Sequence, residues 1–484
     1  MSRASGVWLV LAVWSAIYLT RLGTLEIKGE EGRRILPAIA MLQSGNFIVP
    51  YVGSDPYFSK PPLVNWLVAA SFKLSGLRNE WTARLPSALA VLAVALAFAF
   101  LGQKTLGPNG SVAGALVWMT NFGIIEKGRL IEIEALYASL CGLAVVCWLS
   151  WWQEERSRWF TWVVPWSFLG LGMLAKGPLH LVFFYAIVCA VLYQHGELRK
   201  LWSGAHLLGI VLMLGIFAAW AIPCLQLMEA SDVTHTWTRQ FSGRLTGEDF
   251  NLSGWLMNIP RGLCYFLPWT PLLPFVNKAR FSDGRQAAVA KGLLWGIAIS
   301  FVAVSLLPGT LPRYTMPLLA PASWLIAMVL VAGGSQLPDW LRLRRPSAFA
   351  SEVRLPALVA IAACLGIAVY ALAVMPFLAG REKVRNIAAQ INAALPATET
   401  LYAVNPDYQP SLFYVLAPIV YVHKVAEVPA TARYLLVQPE TENQAITSRQ
   451  WQPLQAQPVL RLRDYRDKEV SLLKVGAEVS RSSS

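Results

Sequence analysis

Residues 204–226 read GAHLLGIVLMLGIFAAWAIPCLQ and contain no Asp, Glu, Lys or Arg. A helix rises about 1.5 Å per residue, so a run of this length crosses the roughly 30 Å hydrocarbon core of a bilayer. Comparable apolar runs fall near 6–21, 83–103, 110–126, 135–152, 159–175, 178–194, 257–276, 288–307, 313–333 and 355–378, which makes about eleven spans. The composition agrees: 55% of residues are hydrophobic, 14% are charged and there are 20 Trp. This is the profile of an α-helical polytopic membrane protein.

Positive charge in short connections sets orientation. With the N-terminus cytoplasmic, alternate connections hold Lys104; Arg156 and Arg158; Arg199 and Lys200; Lys278, Arg280 and Arg285; and Arg342, Arg344, Arg345 and Arg354. The net charge of +13 therefore reflects topology. The basic residues are dispersed and not gathered on one soluble face, which argues against a nucleic-acid partner. The first apolar run follows Arg3 and lacks a small-x-small cleavage site, so it is expected to stay as an anchor. All six cysteines lie in apolar runs without C-x-x-C or Cys/His spacing, which fits packing.

Residues 1–380 are expected to form a membrane body. Two excursions interrupt it on the non-cytoplasmic side, 22–82 and 228–256, and the first is too long for a plain connection. Its segment EEGRRILPAIAMLQSG, residues 30–45, places Ile35, Leu36, Ile39 and Leu42 at helical spacing and ends on Gly45. Residues 381–484 lose the long apolar runs. There, REKVRNIAAQINAAL predicts an amphipathic helix, and TLYAVN, IVYVH, RYLLVQP and VSLLKVG predict strands of a soluble α/β domain.

Ionisable residues recur at the outer ends of the spans: Glu30, Glu31, Arg33, Arg34, Asp55 and Lys60; Arg129, Glu132 and Glu134; Lys176; His235, Arg239, Arg244, Glu248 and Asp249; and Arg313. Charges near lipid are costly, and outer-face cations run against the positive-inside trend. Lys60 precedes Pro61 and Pro62, so it stands at the mouth of a helix that opens with proline. Several cations beside one or two carboxylates suit a lipid-borne phosphate: cations hold the anion, and a carboxylate can take a proton from an attacking hydroxyl. These residues alone point to an enzyme or a transporter for an anionic lipid or phosphorylated ligand.

The stretch from Glu30 to Leu89, with SKPPL at 59–63 and ARLPSAL at 83–89, resembles the GT-C membrane glycosyltransferases related to protein O-mannosyltransferases and the lipid A aminoarabinose transferase. GRLIEIEAL, LAKGPL and LPRYTMPLLAP extend the resemblance downstream to about residue 320. The resemblance implies a GT-C fold and a sugar donor on polyprenyl (undecaprenyl) phosphate. It implies an envelope acceptor, lipid, glycan or protein, on the periplasmic side of a bacterial inner membrane, and transfer with inversion. By motif, Glu30 takes the catalytic acidic position, which Glu31 could share, and Glu134 matches a second acidic residue. Lys60, Arg33, Lys176 and Arg244 match phosphate-binding positions, while Tyr57, Arg313 and Tyr314 line the pocket. Glu134 could alternatively pair with Arg129.

Arg34 departs from the usual Tyr. Ser59 replaces a metal-binding Glu of the lipid A enzyme, and Arg239 stands near its His position, with His235 one turn earlier. No bound metal and no cofactor are therefore expected. The competing reading is a flippase for polyprenyl-linked sugars. Charges gathered at one face, without repeats or broken midplane helices, favour the enzyme.

Overall fold

The structure, a computed structural model, describes residues 2–27, 29–228, 230–246, 250–279, 281, 283–332, 351–451, 455–464 and 466–476, with backbone alone at 230–231, 240–241, 243–246, 277–278 and 449. Among the described residues, six helices are long and apolar enough to cross a membrane: Glu80–Leu101, Ile133–Gln153, Gly204–Leu227, Gly284–Ser305, Pro312–Ala332 and Ser351–Ala379. Arg3–Leu19, Leu63–Ser75 and Leu179–Gln194 are shorter apolar helices. The chain is a multi-span helical membrane protein.

In chain order the body starts with α1 (Arg3–Trp14), α2 (Gly32–Ser44), α3 (Leu63–Ser75) and α4 (Glu80–Leu101). It continues through α5 (Gln103–Thr120), α6 (Phe122–Gly128), α7 (Ile133–Gln153), α8 (Arg158–Ala175), α9 (Leu179–Gln194), α10 (Gly204–Leu227) and α11 (Ala230–Thr246). Helix α7 is the axis of the body, buried along almost its whole length, with Trp148 packed between Trp152 and Trp162. Helix α2 buries Ile35, Leu36 and Ile39, leaves Leu42 exposed, and ends where Gly45 adopts φ +73° and caps Met41 O. Glycine reaches that left-handed conformation without a Cβ penalty.

The expected span at 257–276 does not form. The chain instead makes Asn258–Cys264, a turn and a 3-10 segment at Thr270–Lys278. Pro260, Pro268, Pro271 and Pro274 remove backbone donors at short intervals, so no continuous α ladder survives. The expected span at 110–126 likewise breaks at Asn121, whose Nδ2 donates to Val117 O.

Basic connections meet at one end of α7. Lys104 and Arg156 both pair with Glu154, at 3.5 and 3.0 Å, and Arg285 pairs with Glu155 at 2.8 Å. Glu134 lies in the first turn at the opposite end of the same helix. Three of the basic connections thus share one end of α7, opposite Glu134. Arg280, Arg342, Arg344, Arg345 and the side chain of Lys278 lie outside the described residues.

The C-terminal domain has the amphipathic helix Val384–Ala394 and strands β3 (Leu401–Val404), β4 (Ile419–Val422), β5 (Tyr434–Val437), β6 (Ala456–Arg463) and β7 (Glu469–Val475); β1 (Tyr51–Val52) and β2 (Asp55–Pro56) form a hairpin in the first excursion. The sheet order is β4-β3-β5-β7-β6, parallel across β4-β3-β5 and antiparallel beyond. Strand β6 was not foreseen. It is an edge strand with Pro458, Arg461 and Arg463 and a register shift between Pro458 and Leu460, so its side chains lack the alternation that marks a half-buried strand.

The domain is tied to the first excursion. Glu26 accepts from the backbone N–H groups of Val384 and Arg385, at 2.8 and 3.0 Å, and so caps the amphipathic helix. Arg385 pairs with Glu80 and Glu382, and Tyr414 donates to Glu80 at 2.7 Å. Arg78 donates to Phe413 O.

Candidate active site

The site begins at a 3-10 turn, Gly29–Glu31, which runs straight into α2. Gly29 adopts φ +56°. The two adjacent carboxylates leave this turn in opposite senses. Glu31 is 2% exposed and takes a forked pair from Arg84, at 2.8 Å on each oxygen, plus the Ile131 N–H at 3.0 Å. Arg84 in turn donates to the carbonyls of Leu22, Leu25 and Glu26, which fastens the whole lead-in to α4. Among the described residues Glu30, with a side chain 45% exposed, pairs with two guanidinium groups, Arg33 at 3.3 Å and Arg34 at 3.7 Å.

Arg34 is buried and connects this turn to the next segment. Its Nη1 donates to Tyr57 Oη at 3.2 Å, and Asn65 of α3 fixes its carbonyl at 2.7 Å. Lys60 is half-buried, three residues beyond Tyr57 and just ahead of α3, with Pro62 at the cap. Trp237 of α11 donates to Phe58 O, so the second excursion packs on the same turn. Arg244 lies near the end of α11, and its side chain is outside the described atoms, as are Glu248 and Asp249. His235 and Arg239 are exposed on α11.

A second cluster lies at the start of α7. Glu134 receives Lys176 Nζ at 3.3 Å, and Arg313 Nε sits 3.1 Å from the same oxygen without the alignment of a hydrogen bond. The alternative pairing of Glu134 with Arg129 does not occur. Arg129 donates to Ile17 O and Thr20 O and so secures the end of the Arg3–Leu19 helix. Lys176 Nζ lies 4.3 Å from the Tyr314 ring centroid and 5.5 Å from that of Tyr137. Lys176 occupies the connection between α8 and α9. Burial pulls its ammonium below the ordinary lysine value, Glu134 opposes this, and the nearby charges of Arg313 and Arg34 add to it. Arg34 thus joins the Glu30 turn to Tyr57 and lies near enough to Lys176 for their like charges to repel.

Two donors stand out. Arg34 Nε and Arg313 Nε are buried without a hydrogen-bond acceptor among the described residues. A buried orphan donor costs roughly 1–3 kcal/mol, more when charged, and a phosphate oxygen is the kind of acceptor that removes the cost. Among the described residues no group of His, Cys, Asp or Glu converges as a metal-ligand set.

Sequence reasoning had Lys176, Arg313 and Tyr314 in one pocket, and the fold brings them together with Glu134. It did not foresee Arg34 as the partner of Tyr57 or Arg84 as the partner of Glu31, although both lie inside the quoted motifs. It also missed Tyr408. This residue of the C-terminal domain donates to Gly29 O, and Arg33 lies 5.3 Å from its ring centroid. No periodicity in the sequence links residue 408 to residue 29.

A helical membrane body with acidic and basic side chains gathered at one end of α7, joined to a C-terminal sheet domain, is the architecture of the GT-C fold. The profile of the dolichyl-phosphate-mannose-protein mannosyltransferases matches residues 59–222. The chain is 27% identical over 342 residues to the undecaprenyl phosphate-alpha-4-amino-4-deoxy-L-arabinose arabinosyl transferase of Pseudomonas aeruginosa strain UCBPP-PA14, covering 68% of this chain and 60% of that protein. For the same transferase of Pseudomonas savastanoi pv. phaseolicola the identity is 27%, over 67% and 61%. The chain thus spans about 60% of the length of the curated relatives it matches. The crystal structure of ArnT from Cupriavidus metallidurans bound to undecaprenyl phosphate superposes with a TM-score of 0.67 at 19% identity, covering 98% of both chains, a likeness of fold. The chain thus has the fold of ArnT and resembles, over parts of its length, the dolichyl-phosphate-mannose-protein mannosyltransferases and the aminoarabinose transferases.

Proposed function

We propose that this protein transfers a sugar from a polyprenyl phosphate, of the undecaprenyl kind, to an envelope acceptor at the periplasmic face of a bacterial inner membrane. The observation that carries the reading is the pair of orphaned guanidinium donors, Arg34 Nε and Arg313 Nε, flanking the buried Lys176 ammonium. The P. aeruginosa relative is named for an undecaprenyl phosphate sugar donor, which supports the same donor class here. The basic connections at the opposite end of α7 support the orientation through the positive-inside rule.

In this reading the donor's lipid tail lies among the spans, and Lys60, Lys176, Arg33 and Arg244 hold its phosphate, joined by Arg34 and Arg313. Tyr57 and Tyr314 line the pocket. The acceptor oxygen attacks the anomeric carbon from the side opposite the phosphate, the bond from that carbon to the phosphate oxygen breaks, and the configuration inverts. The phosphodiester leaves as a monoester with one more negative charge, which the cations stabilise. Glu30, the carboxylate open to an incoming group, takes the acceptor hydroxyl's proton or orients an acceptor already anionic. Glu31 holds the turn, and Glu134 keeps Lys176 and Arg313 in place. Incubating purified protein with radiolabelled polyprenyl-phosphate sugar and envelope extract tests the proposal. Transfer by wild type that Glu30→Gln abolishes supports it; donor translocation across vesicles that is unaffected by Glu30→Gln, with no transfer, refutes it.

A further inference from the structure

We infer that Tyr408 of the C-terminal domain is a positioning residue for Glu30, so that the soluble domain completes the active site; this rests on the sugar-transfer reading above. The contacts surround the carboxylate along the chain. One residue before it, Gly29 presents its carbonyl to the Tyr408 hydroxyl. Two residues after it, Gly32 lies directly under the ring. A Cβ at position 32 would come within 2.9 Å of Tyr408 Cζ and 3.0 Å of Cε2, and closer still to the hydroxyl oxygen. Three residues after it, Arg33, the guanidinium that pairs with Glu30 at 3.3 Å, lies over the same ring at 5.3 Å. One side chain from another domain thus sets the backbone on both sides of Glu30 and the orientation of its ion-pair partner.

Tyr408 is itself held. Its loop carries Asn405 and Asp407 at φ +40° and +52°, the left-handed region that Asn and Asp enter more readily than other L residues, so the turn is of a kind their side chains favour. Pro406 Cγ comes within 3.4 Å of where a Cβ on Gly53 would lie, and His423 Nδ1 lies 3.6 Å from Asp55, so the loop and the residue after β4 lie against the β1–β2 hairpin. Gln409 donates to Asp464 at 3.1 Å, and Arg466 lies 5.7 Å from the Tyr408 ring on the domain side. Further away, the capping of the amphipathic helix by Glu26 joins the domain to the same excursion. A device that only docked the domain would need no contact at residues 29 and 32. The place of Tyr408 against the turn bearing Glu30 is what a positioning role requires.

The test is a double-mutant cycle on the full-length protein in nanodiscs, measuring transfer from the polyprenyl-phosphate sugar that wild type uses. Gly32→Ala is expected to lower kcat at least about 10-fold in the wild-type background, because a displacement approaching 1 Å can cost up to roughly 100-fold. In the Tyr408→Ala background the same change costs less than about 2-fold, because the ring it would strike is gone. Tyr408→Phe keeps the ring and loses the hydroxyl, with kcat falling roughly 3- to 10-fold while donor KM and melting temperature stay as in wild type. Equal cost of Gly32→Ala in both backgrounds overturns the proposal, as does wild-type kcat in Tyr408→Ala. So does a kcat loss that simply follows a loss of melting temperature. If wild type transfers no sugar, the functional reading is what fails; faster amide exchange over residues 29–34 in Tyr408→Ala then still supports the positioning contact, and unchanged exchange overturns it.

Discussion

Exchanging each of the two adjacent carboxylates for its amide separates their roles. Glu31 and Arg84 are 2% and 3% exposed, and their fork is bidentate at 2.8 Å. Removing one charge of a buried pair costs roughly 3–5 kcal/mol, because the partner stays charged and buried. In Glu31→Gln the amide oxygen can still accept from Ile131 N–H, and Arg84 keeps the carbonyls of Leu22, Leu25 and Glu26, so the cost falls at the lower end, about 3 kcal/mol. Glu30, by contrast, is 45% exposed, and its pairs at 3.3 and 3.7 Å are those of a surface ion pair, worth about 0–1 kcal/mol. Thermal unfolding in detergent should therefore show Glu31→Gln melting several degrees below wild type and Glu30→Gln melting with it. Transfer assays should show the reverse emphasis, with Glu30→Gln losing roughly 100-fold or more in kcat. A Glu31→Gln protein that melts like wild type but transfers nothing, beside an active Glu30→Gln protein, would refute the assignment.

Burial holds the Lys176 ammonium below the ordinary lysine value, and phosphate binding needs it protonated. Binding is therefore present at low pH and lost as pH rises, with kcat/KM falling on the alkaline side below the roughly 10.4 of a free lysine. Lys176→Arg, which stays charged, should move that limb upward in a pH–rate profile, and Lys176→Met should lower kcat/KM roughly 100-fold at neutral pH. Arg385→Ala leaves the buried Glu80 with Tyr414 as its donor and should cost about 1–3 kcal/mol, read as faster hydrogen exchange over residues 383–394. Arg34→Leu removes a buried guanidinium whose Nε has no acceptor among the described residues, and donor binding by isothermal titration should weaken at least about 10-fold with melting temperature held or raised.

Long-range pairing marks the limit of what the sequence discloses. The apolar runs, the helix ending at Gly45 and the strands from Leu401, Ile419 and Tyr434 follow from local pattern, since period, cap and β-branched content are all properties of neighbours. Lys176 and Arg313 were visible as cations that membrane burial makes expensive. That Glu31 faces Arg84 while Glu30 faces outward depends on how a 3-10 turn meets α4, which no period encodes. The stretch 257–276 misleads because hydropathy counts Pro260, Pro268, Pro271 and Pro274 only as weakly polar, whereas their effect is on backbone donors. Strand β6 hides because an edge strand is not obliged to alternate. Tyr408 is the extreme case: its hydroxyl donates to the backbone of Gly29, 379 residues away in the chain.

The most direct measurement is a cryo-electron microscopy structure of the full-length protein in nanodiscs with polyprenyl phosphate added. The phosphate is predicted to lie against Lys60 and Lys176, within hydrogen-bonding reach of Arg34 or Arg313 and on the same face as Glu30. A phosphate bound at the Lys104–Arg156–Arg285 end of the helices, or one that leaves both orphaned guanidinium donors untouched, contradicts the account.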